Sequence, residues 1–295
     1  MNHIRHITDG WGSSLKVFQG TIPQSRHTLP RRDPLTTIAI ASDGGLSQHQ
    51  AEQSETGRDA LIYGIGDVHG MNDLLAGLLA AIEADATALG LSAIVVFLGD
   101  VVNRGAQTRQ VLDRLVAGPT RPGDHWVVLR GNHEQLMLDA LTAGSPGIFQ
   151  RWLKMGGQQT LASYGCARKK ATPDRARDMV GPYHLRFLAE LPLMHIAGDY
   201  LFVHAGVEPG VPLQRQEANK LLTIRGRFLK KPHGLPFTVV HGHTPTDGRP
   251  RLGPGRIGVD TGAYFSGILT TLVIEPNQGN RRFISVAARP STSSR

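Results

Sequence analysis

The sequence predicts an α/β fold built in layers. Short apolar runs of strand length alternate with longer stretches of helical period, and a glycine falls at or near the end of each run. The scale fits: 295 residues, 40% of them apolar, can bury a sizeable core.

Taken in order, residues 1–58 are rich in Ser, Thr, Gln, His, Gly and Pro without sustained period, and read as a flexible N-terminal extension. The folded domain is expected over 59–288. It opens with an apolar run at 61–65, a helix over about 72–89, the run "AIVVFLGD", a helix over about 107–116, the run "HWVVLRGNHE" and a helix over about 133–142. A mostly helical, basic insertion at about 145–196 interrupts the rhythm. The runs "YLFVHAG", "FTVVHGHT", "RIGVDTG", "GILTTLVIE" and "FISVAA" then read as successive strands, and 289–295 as a tail.

Composition narrows the function. The formal charge is +8, with the surplus concentrated at 145–190 and 225–256, including Arg168, Lys169, Lys170, Arg175, Arg177, Arg225, Arg227, Lys230 and Lys231. Such clusters attract anions in general. No RNP, zinc-finger or helix-turn-helix pattern accompanies them, so nucleic acid is not the expected partner. The single cysteine, Cys166, excludes an internal disulfide and reads as a small buried hydrophobe in a reducing compartment. No apolar run approaches the ~20 residues of a membrane span, and the first 30 residues lack a secretion-signal core, which makes cytoplasm the default and a membrane role unexpected.

Polar groups recur at one structural place. Asp67 and His69 follow the first run, Asp100 ends the second, Asn132 and His133 the third, His204 the fourth, and His241 and His243 the fifth. A lone histidine beside an apolar run is more often a satisfied core residue. Recurrence at strand ends, where α/β sheets bind ligands, points instead to a ligand set. Imidazole and carboxylate without thiolate suit Mn, Fe, Zn or a similar divalent ion.

With "GDVHG", "GDVVNRG", "RGNHE", "HAG" and "HGHT" in that order over residues 66–244, the chain resembles the calcineurin-like metallophosphoesterases, and within them the PPP-type serine/threonine protein phosphatases of bacteria and bacteriophages. The resemblance implies a two-sheet sandwich flanked by helices. It also implies that Asp67 and His69 hold one ion, Asn132, His204 and His243 another, and Asp100 bridges both. Two ions about 3.5–4 Å apart then activate a bridging water for direct attack on phosphorus, with Mn as the expected metal and Fe or Zn as alternatives. Arg104, Arg130 and Arg225 match arginines that bind phosphate oxygens, and His133 the general acid. His241 is left as a supporting residue, Asp260 as structural, and Tyr264 as a candidate for lining the pocket. Pro245 stands where the nuclease branch has a further histidine, which favours the PPP branch.

One position departs from the pattern. Asn103 occupies the place of the aspartate that supports the histidine of "GNHE". Its carbonyl is expected to orient His133 by accepting the ring N–H, without stabilising imidazolium as a carboxylate would, so the His133 pKa should fall. Leaving groups that require a proton, serine and threonine alkoxides, should suffer most, and phenols and phosphoanhydrides less.

The expected activity is dephosphorylation of phosphoserine or phosphothreonine, and also phosphotyrosine, in proteins or phosphorylated small molecules. The alternative is hydrolysis of a dinucleoside polyphosphate such as diadenosine tetraphosphate, with the basic insertion capping the site and choosing the substrate. A non-catalytic binding protein retaining the fold is the reading from another class, opposed by the full complement of ligands.

Overall fold

The computed structural model describes residues 60–166, 170–275 and 280–288, together with the backbone of strand segments between residues 4 and 49. Those segments are β1 (Ile4–Thr8), β2 (Ser14–Thr21), β3 (Thr36–Ile40) and β4 (Leu46–His49). The domain proper opens with β5 (Ala60–Ile65), α1 (Asn72–Leu89), β6 (Ser92–Phe97), α2 (Thr108–Ala117), β7 (His125–Val128) and α3 (Asn132–Thr142). The insertion supplies α4 (Pro146–Trp152), α5 (Gln158–Ser163) and α6 (Pro173–Glu190). After it come β8 (Met194–Ala197), β9 (Tyr200–Val203), α7 (Ala218–Thr223), α8 (Gly226–Lys230) and β10 (Thr238–His241). The chain closes with β11 (Arg251–Gly253), β12 (Arg256–Gly258), α9 (Ala263–Ser266), β13 (Ile268–Ile274) and β14 (Arg281–Ala287).

These strands make two mixed sheets, ordered β1-β2-β14-β13-β5-β6-β7 and β11-β12-β10-β9-β8-β3-β4. β5, β6 and β7 run parallel in the first sheet, and β9, β10 and β12 in the second. Successive strand residues point to opposite faces, and here both faces are covered, which is why the runs read as continuously apolar. In β5 and β6, Leu61, Tyr63, Ile65, Val95 and Phe97 pack under the helices, while Val96 and Leu98 meet Phe202, Val240, Ile257 and Val259 of the facing sheet. Leu201, Val203 and Val239 pack outward against Leu221, Leu222 and Phe228 of α7 and α8. The result is the two-sheet sandwich flanked by helices.

Four segments within residues 4–49 are strands. β2 pairs antiparallel with β14, and β3 with β8, so segments read as a flexible extension lengthen both sheets. Such pairing runs through backbone N–H and C=O groups and demands no apolar period, so composition gave no sign of it. The expected tail at 289–295 lies outside the described residues.

The insertion docks on α2 and α3 and buries Phe149, Trp152, Leu161 and Leu188. Between α4 and α5 the helix is interrupted at Met155 and Gly156, where Gly156 adopts φ 101°. A Cβ on Gly156 would lie 2.5 Å from the Arg104 backbone nitrogen, so only glycine lets this turn close on the loop after β6. There the Arg104 N–H donates to the Gly156 carbonyl at 3.2 Å.

Candidate active site

The residues that follow the parallel strands converge at one edge of the sandwich. His69, Asp100, Asn103, Arg104 and His243 all have φ between 47° and 69°, and among the described residues they are the non-glycine positions in that left-handed region. Such conformations cost about 1–3 kcal/mol each and persist where surrounding structure enforces them, which is typical of functional loops.

Two groups of ligand atoms form. His69, Asp100 and His133 converge, as do Asp100, His204 and His243, with each set of atoms within 4.8 Å of one another. Their ring orientations are fixed from behind. The Leu98 carbonyl lies 2.8 Å from His204 Nδ1 and takes its N–H, so Nε2 is the nitrogen turned inward. The Val102 carbonyl does the same for His69 at 3.0 Å, leaving Nε2 3.7 Å from Asp100 Oδ2. His204 Nε2 then faces Asn132 Oδ1 at 3.0 Å and Asp100 Oδ1 at 3.5 Å. Imidazole nitrogens and carboxylate oxygens that converge in this way make a donor set that fits divalent ions.

Charge leads to the same conclusion. Asp67 uses both carboxylate oxygens to accept the His243 N–H at 3.2 Å. Burial, and then the charges of Asp260 and Asp100, push its carboxyl well above the ordinary range. Burial works to raise Asp100 as well, but the imidazoles of His204, His133 and His69 outweigh it and hold that carboxyl low. Burial lowers His69 and His243 to about 3, so both rings are neutral at physiological pH. Asp260 is buried, its carboxyl raised to about 6 by burial, and it accepts the Gly262 N–H at 3.0 Å. The structure therefore adds a third carboxylate beside Asp67, where the sequence suggested only a structural role.

Of the arginines, Arg104 and Arg225 reach the cluster. Arg225 Nε donates to His243 Nε2 at 3.0 Å. Arg104 Nη2 lies 3.1 Å from His133 Nε2, and its guanidinium sits over the Tyr264 ring, 4.4 Å from the centroid. Tyr264 in turn packs edge-on against His69. Arg130 is a correction: its guanidinium donates to Gln135 Oε1 at 3.1 Å and to the Ala189 carbonyl at 2.5 Å, not into the cluster. That carbonyl belongs to the last turn of α6 and has no intrahelical partner, so the end of the insertion captures the arginine. His241 packs its ring against Phe228 on the outer side of the second sheet. Within the basic region, Arg168 and Lys169 lie outside the described residues, and Arg177 is paired with Asp174 on the surface.

Asn103 is also corrected. Its carbonyl does not face His133. Oδ1 accepts from Trp152 Nε1 at 3.0 Å and from the Thr160 hydroxyl at 2.9 Å, so Nδ2 is the atom 2.9 Å from His133 Nδ1. His133 is held below its usual pKa, first by burial. Trp152 and Thr160 carried no sequence signal, since their role depends on the insertion folding over the loop. Glu134 was overlooked although it lies in "RGNHE". It is fully buried, and its carboxyl oxygens accept the backbone N–H groups of Asp100, Val101, Val102 and Gly131 at 2.7–3.1 Å. It thereby shapes the loop that presents Asp100.

A buried His/Asp centre at the carboxyl edges of two facing sheets, with arginines at its rim, defines a metallophosphoesterase with divalent-metal ligation. The chain belongs to the calcineurin-like phosphoesterase family, whose model matches residues 60–265. It is 26% identical to serine/threonine-protein phosphatase 1 of Salmonella typhimurium, over 72% of this chain and 92% of that one. It is 24% identical to the asymmetrical bis(5'-nucleosyl)-tetraphosphatase PrpE of Geobacillus thermodenitrificans, over 60% of this chain and 73% of the relative. A crystal structure provisionally described as a diadenosine tetraphosphatase superposes with a TM-score of 0.50 at 25% identity, covering 79% of this chain and 95% of the other. Among the described residues no helix is long and apolar enough to cross a membrane.

Proposed function

We propose that the chain hydrolyses phosphoanhydrides of the dinucleoside polyphosphate type with the help of two divalent ions, Mn foremost. The observation that carries the substrate class is the amide nitrogen of Asn103 against His133 Nδ1. A ring whose Nδ1 accepts a hydrogen bond stays neutral and is a weak proton source. Such a site suits leaving groups that depart as stable anions, as nucleoside phosphates do, more than serine or threonine alkoxides. The relatives that act on bis(5'-nucleosyl) tetraphosphates support the same reading. Bound at Asp67, His69, Asp100, Asn132, His204 and His243, the ions would lower the pKa of water and offset phosphoryl charge. Arg104 and Arg225 would bind phosphate oxygens, and His133 would donate a hydrogen bond to the departing oxygen.

Phosphoprotein dephosphorylation is the second reading, favoured by the likeness to the Salmonella phosphatase over 72% of this chain. Turnover by the Mn-loaded protein separates the two. Diadenosine tetraphosphate, followed by its nucleotide products, should be cleaved faster than phosphothreonine, phosphoserine or phosphotyrosine peptides. Faster release from phosphothreonine or phosphoserine peptides would overturn the substrate class.

A further inference from the structure

Asn103 lies in a chain of buried polar groups whose two ends are both obligate donors. At one end is the Trp152 indole N–H, 3.0 Å from Asn103 Oδ1; at the other is the Arg104 guanidinium, 3.1 Å from His133 Nε2. Between them, Asn103 Nδ2 meets His133 Nδ1 at 2.9 Å. An amide and a neutral imidazole each transmit polarity: a hydrogen bond accepted at one end means one donated at the other. Starting from Trp152, the carbonyl accepts, the amide NH2 donates to Nδ1, and the ring proton falls on Nε2, opposite Arg104. Starting from Arg104, the order reverses and the amide nitrogen would have to face the indole N–H. Both ends cannot be satisfied at once.

Burial decides which end yields. Trp152, Asn103 and Thr160 are fully buried, whereas Arg104 is half-buried at the rim and stacks on Tyr264. An indole N–H stripped of its acceptor in the core has nowhere to turn, while a guanidinium at the mouth can turn to solvent or to an anion. Thr160 does not vote: its hydroxyl both donates and accepts, and it already accepts the Asn103 backbone N–H at 3.1 Å.

We propose that Trp152 is a positioning residue: by holding the Asn103 carbonyl it aims the amide NH2 at His133 Nδ1 and leaves the ring proton on Nε2, facing Arg104. Two N–H donors, His133 Nε2 and Arg104 Nη2, then stand 3.1 Å apart, and Asp100 Oδ2 lies 3.9 Å from Nε2, beyond hydrogen-bond reach. That pair is complementary to an oxyanion, so a phosphoryl oxygen entering the mouth satisfies both at once. The inference rests on His133 belonging to the reacting site, and it is indifferent to whether the substrate is an anhydride or a phosphoprotein.

The test reads the tautomer directly. In the full, metal-free chain with 15N-labelled histidine, the two ring nitrogens of His133 are assigned from long-range 1H–15N correlations. The expected result is an unprotonated, pyridine-type Nδ1 and a protonated Nε2. Trp152→Phe should lose this pattern, giving an averaged or Nδ1-protonated ring, and Thr160→Val should keep it. In the Mn-loaded enzyme Trp152→Phe should lower kcat by about tenfold with little change in KM, since His133's hydrogen bond acts in the transition state. If Trp152→Phe does not fold, Asn103→Asp serves instead: a carboxylate accepts from the ring, so Nδ1 should become protonated. Nδ1 protonated in the parent chain would overturn the proposal, as would an unchanged tautomer in Trp152→Phe or Asn103→Asp, or loss of the pattern in Thr160→Val. Failure of diadenosine tetraphosphate turnover alone would bear on the substrate and leave the tautomer result standing.

Discussion

Gly156→Ala perturbs the contact between the insertion and the Arg104 loop through a single methyl group. The methyl would lie 2.5 Å from the Arg104 backbone nitrogen and 2.9 Å from its Cγ, and Gly156 has φ 101°. The backbone strain costs about 1–2 kcal/mol, and forcing a methyl into closed packing about 1–3 kcal/mol more. Reduced freedom of the unfolded chain returns about 0.4–1 kcal/mol. The expected net loss is about 1–4.6 kcal/mol, a fall in Tm of about 2–18 °C for a large domain. Gly165→Ala separates the two contributions, because Gly165 has φ 80° but a methyl there would meet no heavy atom within 4 Å, so only strain remains. Thermal unfolding by circular dichroism should rank parent, Gly165→Ala and Gly156→Ala in descending order, and only Gly156→Ala should raise KM for phosphate substrates. Equal Tm values for the two variants, or an unchanged KM in Gly156→Ala, would refute the idea that the insertion sets the Arg104 loop.

Further outcomes follow from the buried carboxyls. Burial raises Glu134 to about 8 and Asp260 to about 6, so the folded metal-free chain holds protons that the unfolded chain releases near its ordinary carboxyl range. Stability from these groups is complete below about pH 4 and is lost as pH rises through 6 and then 8, by up to about 1.4 kcal/mol per pH unit per group. His69 and His243, lowered to about 3, act only below their unfolded value and leave the window from pH 6.5 to 8 clear. The urea midpoint in chelator should therefore fall across that window, and saturating Mn should abolish the fall; a flat or rising midpoint in chelator would contradict this. Glu134→Ala strips a shared acceptor from four buried backbone N–H groups and should cost at least about 3 kcal/mol in urea unfolding, with a loss under about 1 kcal/mol counting against it. Glu190→Ala, which breaks an exposed pair with Arg186, should stay within about 0.5 kcal/mol.

What the sequence disclosed was local. Helix α1 and the parallel strands stood out because their periods were regular and their ends were marked by glycine. Asp67, His69, Asp100, Asn132, His204 and His243 stand out in the sequence because they lie just past strand ends, and topology alone carries those positions to one edge. Residues whose roles depend on distant partners were misread. Arg130 looked like a phosphate ligand until α6, some 59 residues on, supplied a carbonyl for it. Asn103 could have faced His133 either way, and the indole that decides lies 49 residues later. Strands β2 and β3 left no trace because backbone pairing needs no pattern of side chains.

The three contacts from the insertion region, Gly156 to Arg104, Trp152 to Asn103 and Ala189 to Arg130, bear on modularity. A segment that merely covered a finished centre could be exchanged to retarget the enzyme. Here the same segment closes the loop it covers, so a chimera carrying a foreign insertion would inherit a loop built for another lid. Substrate range and reactivity should therefore drift together in descendants of this chain, and grafts that respect the seam would need to carry residues 103–104 and 130 with the helices.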